Sequence, residues 1–431
     1  MKKKLLVGLL ALTLIASQTS FSPQTANAAL KDDIKDSIVA GGEVVKDTIV
    51  TAVKKFKDTV GHWAEASINK AINSGYVNGY TDGTFRPNNQ INRAEFIKMI
   101  VTSLDLEVKD ASGIWYTPYV NTAQTTGLYK SGDFKDSNWT KAMTREEMSK
   151  VAVRAIGITD AESKEWMYLA TKKGLITGTA PGVISPEGTT TRAQAIAVIE
   201  RVMSVKNGKT LTVDKYAVSS AEIYWHKTNI FSVMPEVFNT PLPNRLDTPV
   251  EKQWRDDGLV IETDDKKWKG ELEALIAINL ADPNDPNLKL LGNDYKKLKW
   301  FNNTGSNKEL NGDIIPLMNL DVYPKWKDSW VLYFKTKTHY NKNTKQYGPN
   351  LAYSIRGTVS SNYDAYYNGT LNGLAGVYNK SLNDLPAKIL PKKGWKQDGD
   401  LSILIYAPTY SNYTGVKINT LLTVAGPQPS K

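Results

Sequence analysis

Asn92-Arg93-Ala94-Glu95-Phe96-Ile97-Lys98-Met99-Ile100-Val101 decides how the first half of the chain is read. A cap residue is followed three positions later by Glu, and an apolar run begins at once. The pattern returns as Thr144-Arg145-Glu146-Glu147 and as Thr191-Arg192-Ala193-Gln194. Each is a capping box: the cap side chain accepts from a first-turn amide, and the Glu or Gln reaches back to the cap. The arginine is out of place by stability alone. At the first helical position it sets a cation on the positive end of the macrodipole, at a cost of a few tenths of a kcal/mol. A helix start that receives an anion gains from it, because free amides, dipole and guanidinium then attract one charge. The plainer alternative pairs each arginine with a neighbouring carboxylate.

The boxes close a longer unit. Phe56-Lys57-Asp58 leads to His62-Trp63-Ala64, and Ile68, Ala71 and Ile72 form a helical stripe that stops at Gly75. The loop Gly79-Tyr80-Thr81-Asp82-Gly83-Thr84-Phe85-Arg86-Pro87 follows, and then the first box. Arg145 follows Arg93 by 52 positions and Arg192 follows Arg145 by 47, the spacing of a repeat array. The second copy carries Trp115-Tyr116, Val120, Ala123 and Gly127-Leu128. The third carries Met167, Ala170, Gly174-Leu175-Ile176 and Ile184-Ser185-Pro186, the last in register with Phe85-Arg86-Pro87.

These motifs resemble the S-layer homology (SLH) domain, over about residues 56–205. The boundaries read are 56–104, 105–157 and 158–205 for the three repeats. The resemblance implies a pseudo-threefold bundle with one core helix from each repeat. It also implies binding of an anionic, pyruvylated secondary cell-wall polymer in grooves between repeats, through Arg93, Arg145 and Arg192. Flat rings suit the C–H faces of sugars. Trp63 lies twelve residues before Gly75 and Trp115 twelve before Gly127, so they are equivalent and are read as polymer-contacting; the alternative makes them core aromatics. The same position before Gly174 is Glu162, with Trp166 one turn later. Two competent grooves and a departing third are therefore expected. Asp82 is read as a ligand residue, or as a turn residue capping its own loop.

The rest of the chain bounds the setting. Of 431 residues none is cysteine, which excludes disulfides, thiolate metal sites and thiol nucleophiles. Three lysines, the apolar run Leu5–Ala16 and Ala26-Asn27-Ala28 read as a signal peptide over 1–28. Residues 29–55 read as a helical leader, with no later transmembrane run. An exported chain of formal charge +10 meets anionic wall polymers before nucleic acid, so no nucleic-acid partner is expected. The expected location is the wall or cell surface.

From residue 206 the composition shifts to Tyr, Trp, Asn and Pro. Short β-branched and aromatic runs appear at Trp330–Phe334, Tyr353–Val359, Leu401–Tyr406 and Val416–Val424, separated by turn clusters such as Gln397-Asp398-Gly399-Asp400. This is the signature of a mainly β domain, sandwich or barrel-like, over 206–431. The fold class is thus multidomain, a helical repeat bundle followed by β structure. Gly270–Leu280 reads as helix or buried strand. His226 and His339 are too far apart in sequence for a helical metal pair, and no G-x-S-x-G elbow is present, so no catalytic residue, cofactor or metal is assigned. Asp282-Pro283-Asn284-Asp285-Pro286-Asn287 fits no calcium-loop template. Lys266-Lys267-Trp268-Lys269, Lys296-Lys297-Leu298-Lys299-Trp300 and Lys392-Lys393-Gly394-Trp395-Lys396 combine cations with rings. They read as an acidic-glycan surface or as lysine stems lying over tryptophan edges. The expectation is a non-catalytic, wall-anchored protein whose second half serves structure, self-assembly or binding of a second glycan. The alternative is a wall-anchored glycan hydrolase using paired carboxylates such as Asp256-Asp257, Asp264-Asp265 or Asp398 with Asp400.

Overall fold

The computed structural model describes residues 56–301, 320–359, 368–410 and 416–427, with the backbone of two short strands at 309–310 and 313–314. The expected signal peptide (1–28) and leader (29–55) lie outside the described residues. The chain divides into two compact units, 1–87 and 88–431.

In the first unit, helix α1 (Glu65–Asn73) buries Ile68 and Ala71 and ends before Gly75, whose φ of 74° only glycine adopts without strain. The loop behind it is held by Asp58, whose carboxylate accepts from the amides of Phe85 (2.9 Å) and Arg86 (2.6 Å). A Cβ on Gly79 would sit 2.0 Å from the Phe56 ring, so that ring can close over the loop and meet Phe85.

The second unit begins with helices α2 (Arg93–Ser103), α3 (Thr117–Thr125), α4 (Arg145–Ala155), α5 (Glu165–Lys172), α6 (Arg192–Lys206), α7 (Lys215–His226) and α8 (Ile230–Val233). Both halves of all three capping boxes are made. The three box-bearing helices are laced by a closed ring of backbone bonds. Ile91 donates to Thr190 (2.9 Å), Thr190 to Met143 (3.0 Å) and Met143 to Ile91 (2.9 Å). This is the pseudo-threefold arrangement expected. The expectation of free amides at these helix starts is corrected, because neighbouring loops fill them. Arg93 donates its backbone N–H to Lys141, Arg145 to Gly188 and Arg192 to Asn89; Ala94 donates to Trp139 and Glu146 to Pro186. The third-position amide goes to the cap side chain.

Beyond residue 230 the unit is mainly β. A seven-stranded antiparallel sheet runs in the order β1 (Val260–Glu262), β2 (Trp268–Asn279), β7 (Ser329–Asn341), β10 (Ala387–Pro391), β9 (Ala375–Tyr378), β3 (Lys299–Phe301) and β6 (Leu320–Asp321). A three-stranded sheet runs β12 (Ile418–Val424), β11 (Gln397–Tyr406) and β8 (Ala352–Thr358); β4 (Glu309–Leu310) and β5 (Asp313–Ile314) pair alone. One face of the large sheet, with Trp268, Leu272, Trp330 and Phe334, packs on Ile355, Ile403, Ile405 and Leu422 of the small one, as in a sandwich. The opposite face, with Ile276, Ile278, Val331 and Ile389, is covered by Leu288, Leu291 and Val322. Burial on both faces makes Gly270–Leu280 a continuous apolar strand, which is why periodicity left it undecided. Gln397–Asp400, read as a turn, is instead a bulged stretch of β11: the register jumps between Gln397 and Ser402, and Gly399 takes a φ of 80°.

Candidate functional site

The three box arginines occupy one structural position and have three different electrostatic settings. Arg93 is 1% exposed and doubly neutralised. Its Nε donates to Glu147 Oε2 (3.2 Å) and its Nη2 to the other oxygen of that carboxylate. Its Nη1 donates to Asp136 Oδ1 (2.5 Å) and to the Asn138 carbonyl (2.9 Å). Glu147 is the last residue of the next capping box. The rule closes cyclically, since Arg192 Nη1 lies 4.0 Å from Oε1 of Glu95, the last residue of the first box. Arg145 breaks it, because the last residue of the next box is the neutral Gln194. Arg145 is also buried, but it donates only to carbonyls, from Nε to Ile184 (2.8 Å) and from Nη2 to Thr177 (2.5 Å). Among the described residues no carboxylate pairs with it. Burial, with Arg201 near by, pushes its guanidinium below the ordinary value.

Arg201 is a second cation of the same kind. It stands nine positions into α6, as Arg154 does in α4, and each donates to the carbonyl after the loop-opening glycine, Leu175 for Arg201 and Leu128 for Arg154. Arg154 is neutralised by Asp133. When Ile184 is set against Phe134, the residue in the register of Asp133 is Val183, three positions before Pro186, and it has no charge to offer. Two guanidinium groups without a carboxylate partner among the described residues thus lie at the junction of the second and third repeats.

The aromatic residues read as ligand-facing are on the surface. Trp63 is 65% and Trp115 51% exposed, which removes the core alternative. In the second unit Lys98 Nζ lies 5.6 Å from the Trp115 ring and 5.3 Å from that of Tyr119, so a cation stands over a pair of flat faces. Lys98 and Lys150 each come five residues after a box arginine, a spacing that would have drawn notice in the sequence; the third repeat has Ala197 there. Lys150 lines a cleft of about 300 Å³ with Lys135, Lys164, Glu146 and Tyr224. Asp82 accepts from the Thr84 amide and hydroxyl and pairs with Arg86 at 2.8 Å. Those bonds hold its carboxyl down at about 2.

The S-layer homology domain family matches residues 55–97 and 157–196. The chain carries SLH domains. The middle SLH-like copy lies between those matches and has its own box, ring bond and exposed tryptophan. An amylopullulanase of Thermoanaerobacterium thermosulfurigenes is 32% identical over 173 residues, which is 34% of this chain and 9% of the relative. The exoglucanase XynX of Acetivibrio thermocellus is 31% identical over 179 residues, 35% of this chain and 16% of the relative. The S-layer protein EA1 of Bacillus anthracis is 31% identical over 139 residues, 30% of this chain and 16% of the relative. The chain thus spans less than a fifth of each of these proteins. It is a secreted, wall-associated surface protein, and among the described residues no helix is long and apolar enough to cross a membrane.

The third SLH copy departs from the other two physically as well as in sequence. Glu162, which replaces the exposed tryptophan, accepts from Trp225 Nε1 of α7 (3.1 Å). Trp166 is buried under the Arg154 guanidinium at 4.6 Å. Helix α7 packs along α5 through Tyr168, Ala217, Val218, Ala221 and Trp225. Further on, the Asp282–Asn287 run is used locally. Asp282 pairs with Lys215 (2.6 Å) and Tyr216 (2.9 Å), and Asp285 accepts from the amides of Asn279 and Asn287.

Proposed function

We propose that residues 56–205 act as three SLH repeats that hold the chain on an anionic secondary wall polymer of the pyruvyl-ketal type, and that residues 206–431 form the displayed, non-catalytic half. The observation that carries this reading is Arg145, the box arginine whose charge no carboxylate among the described residues offsets. A buried cation held by carbonyl dipoles alone is strained electrostatically, and an acid group from outside relieves it. Arg201 adds a second positive charge, and Lys98 over Trp115 offers a second place where a sugar face and an acid meet together. Arg93 and Arg192 take part mainly by tying repeats together, with Trp63 and Asp82 on the first repeat's surface.

Co-sedimentation of the full chain with purified wall sacculi tests the anchor. Retention is expected on intact sacculi and lost when the polymer's acid groups are removed; undiminished retention would sink the mechanism. The carbohydrate-active relatives raise a second reading, a wall-held glycan hydrolase. Release of reducing sugar from wall or plant polysaccharides by the purified chain would establish it, and no release would dismiss it.

A further inference from the structure

Three lysine–tryptophan segments stand out in the second half, and the fold separates them. Trp268 and Trp300 are fully buried in the two cores, so their segments present only lysines. Trp395 is half-buried, packs against the edge of the sandwich core, and lines a cavity of about 870 Å³. That volume lies within the range of roughly 300–1,000 Å³ common for small-ligand sites.

The lining combines a flat apolar wall with polar groups suited to hydroxyls. Trp395 provides the ring open to the cavity, and the buried Trp330 backs the wall behind it. Gln397 donates its amide to the carbonyls of Gly399 (2.8 Å) and Ala425 (2.5 Å), which fixes the side chain at the rim of the cavity. Gly426 is what lets that side chain lie there, since a Cβ on it would come within 2.5 Å of the Gln397 amide. The carboxylates of Glu236 and Asp400, both exposed on the lining, are the acceptors that sugar hydroxyls can reach. Charge decides which sugar. Lys392, the cationic wall, is paired with Asp328 at 3.1 Å and lies 5.7 Å from the Trp330 ring. The remaining charged lining groups, Glu236 and Asp400, are carboxylates. The cavity therefore disfavours a polyanion, in contrast with the Arg145 region.

We propose that this cavity is a binding site for a neutral oligosaccharide, distinct from the anionic polymer held by the repeats. The protein then has two glycan contacts of opposite electrostatic preference on one chain. One face of a sugar ring stacks on Trp395, its hydroxyls donate to the carboxylates of Glu236 and Asp400, and the acidic polymer is excluded.

The test is titration of the full chain with cellotetraose, xylotetraose and chitotetraose, read by calorimetry and tryptophan fluorescence, alongside sacculus co-sedimentation. Saturable binding of at least one of these neutral probes is expected. Trp395→Ala should weaken it about tenfold or more, equal to about 1.4 kcal/mol, while Trp395→Phe keeps most of it. Asp400→Ala, at an exposed position, should weaken it in the same direction. Arg145→Ala should leave it unchanged, and Trp395→Ala should leave wall retention unchanged, so failure here and failure of the anchor are separable. No binding of any neutral probe, equal binding by Trp395→Ala with unchanged near-UV dichroism, or competition by the solubilised acidic polymer would each overturn the proposal.

Discussion

Gln194→Glu is the sharpest perturbation of the anchor, because it supplies the carboxylate that the third box lacks. Glu147, at the equivalent place, both caps its helix and pairs with Arg93. A Glu at 194 should do the same for Arg145, since Gln194 Oε1 already accepts from the Thr191 amide, a bond that a carboxylate oxygen keeps. An acid group about 6 Å from Arg145 is attracted by about 3 kcal/mol at an effective dielectric near 20. A paired carboxylate cancels most of that, so affinity at this groove should fall roughly a hundredfold. Folding should not suffer: the new pair is worth about 4 kcal/mol at 4 Å by the same formula, largely offset by desolvation of the new charge. The assay is co-sedimentation with sacculi across a protein titration, with a thermal melt of each variant. The expected pattern is weak retention with an equal or higher melting temperature. Full retention by Gln194→Glu would refute the argument that Arg145's charge holds the polymer.

Trp115→Ala and Trp63→Ala should reduce retention while moving the urea midpoint little, within about 0.5 kcal/mol as for exposed sites. Glu147→Gln should destabilise the chain by about 3 kcal/mol in urea unfolding, the low end for a broken buried pair because Asp136 still holds Arg93. The Glu222 carboxyl is fully buried, which pushes it up to about 8 against the amides of Ser232 and Phe231 that favour its charge. The folded state therefore binds the proton more tightly than the unfolded chain. The contribution of Glu222 to stability is fully present below about pH 4.5 and is lost as pH rises toward 8, by an amount on the order of a few kcal/mol. Glu222→Gln should flatten that part of the urea-midpoint profile, and an unchanged slope would count against it.

Much of this was legible in the sequence, because the decisive signals are local. A cap, an arginine and a Glu or Gln in four residues specified three helix starts, and the glycines at 75, 127 and 174 mark their loops with positive φ. The strands around Trp330, Ile355, Ile403 and Leu422 followed from short β-branched runs between turns. What was not legible depends on contacts across the bundle. Arg93 finds its carboxylate 54 positions away, so which arginine keeps its charge is decided by residue 95, 147 or 194 of another box. The loops that fill the helix-start amides come from neighbouring repeats for the same reason. The lysine–tryptophan segments look alike in sequence, and only the sandwich separates Trp395 from the buried Trp268 and Trp300. The covering of the third repeat by α7 depends on Glu162 meeting Trp225, a pair far apart in sequence.

The most direct measurement is a double-perturbation cycle on the anchor: calorimetric binding of solubilised wall polymer, intact or stripped of its acid groups, to the wild-type chain and to Arg145→Ala. If Arg145 holds the acid, each change alone lowers affinity and the two together lower it no further than the larger one, a coupling of about 1–3 kcal/mol. Losses that simply add, or wild-type affinity for the stripped polymer, would contradict the account.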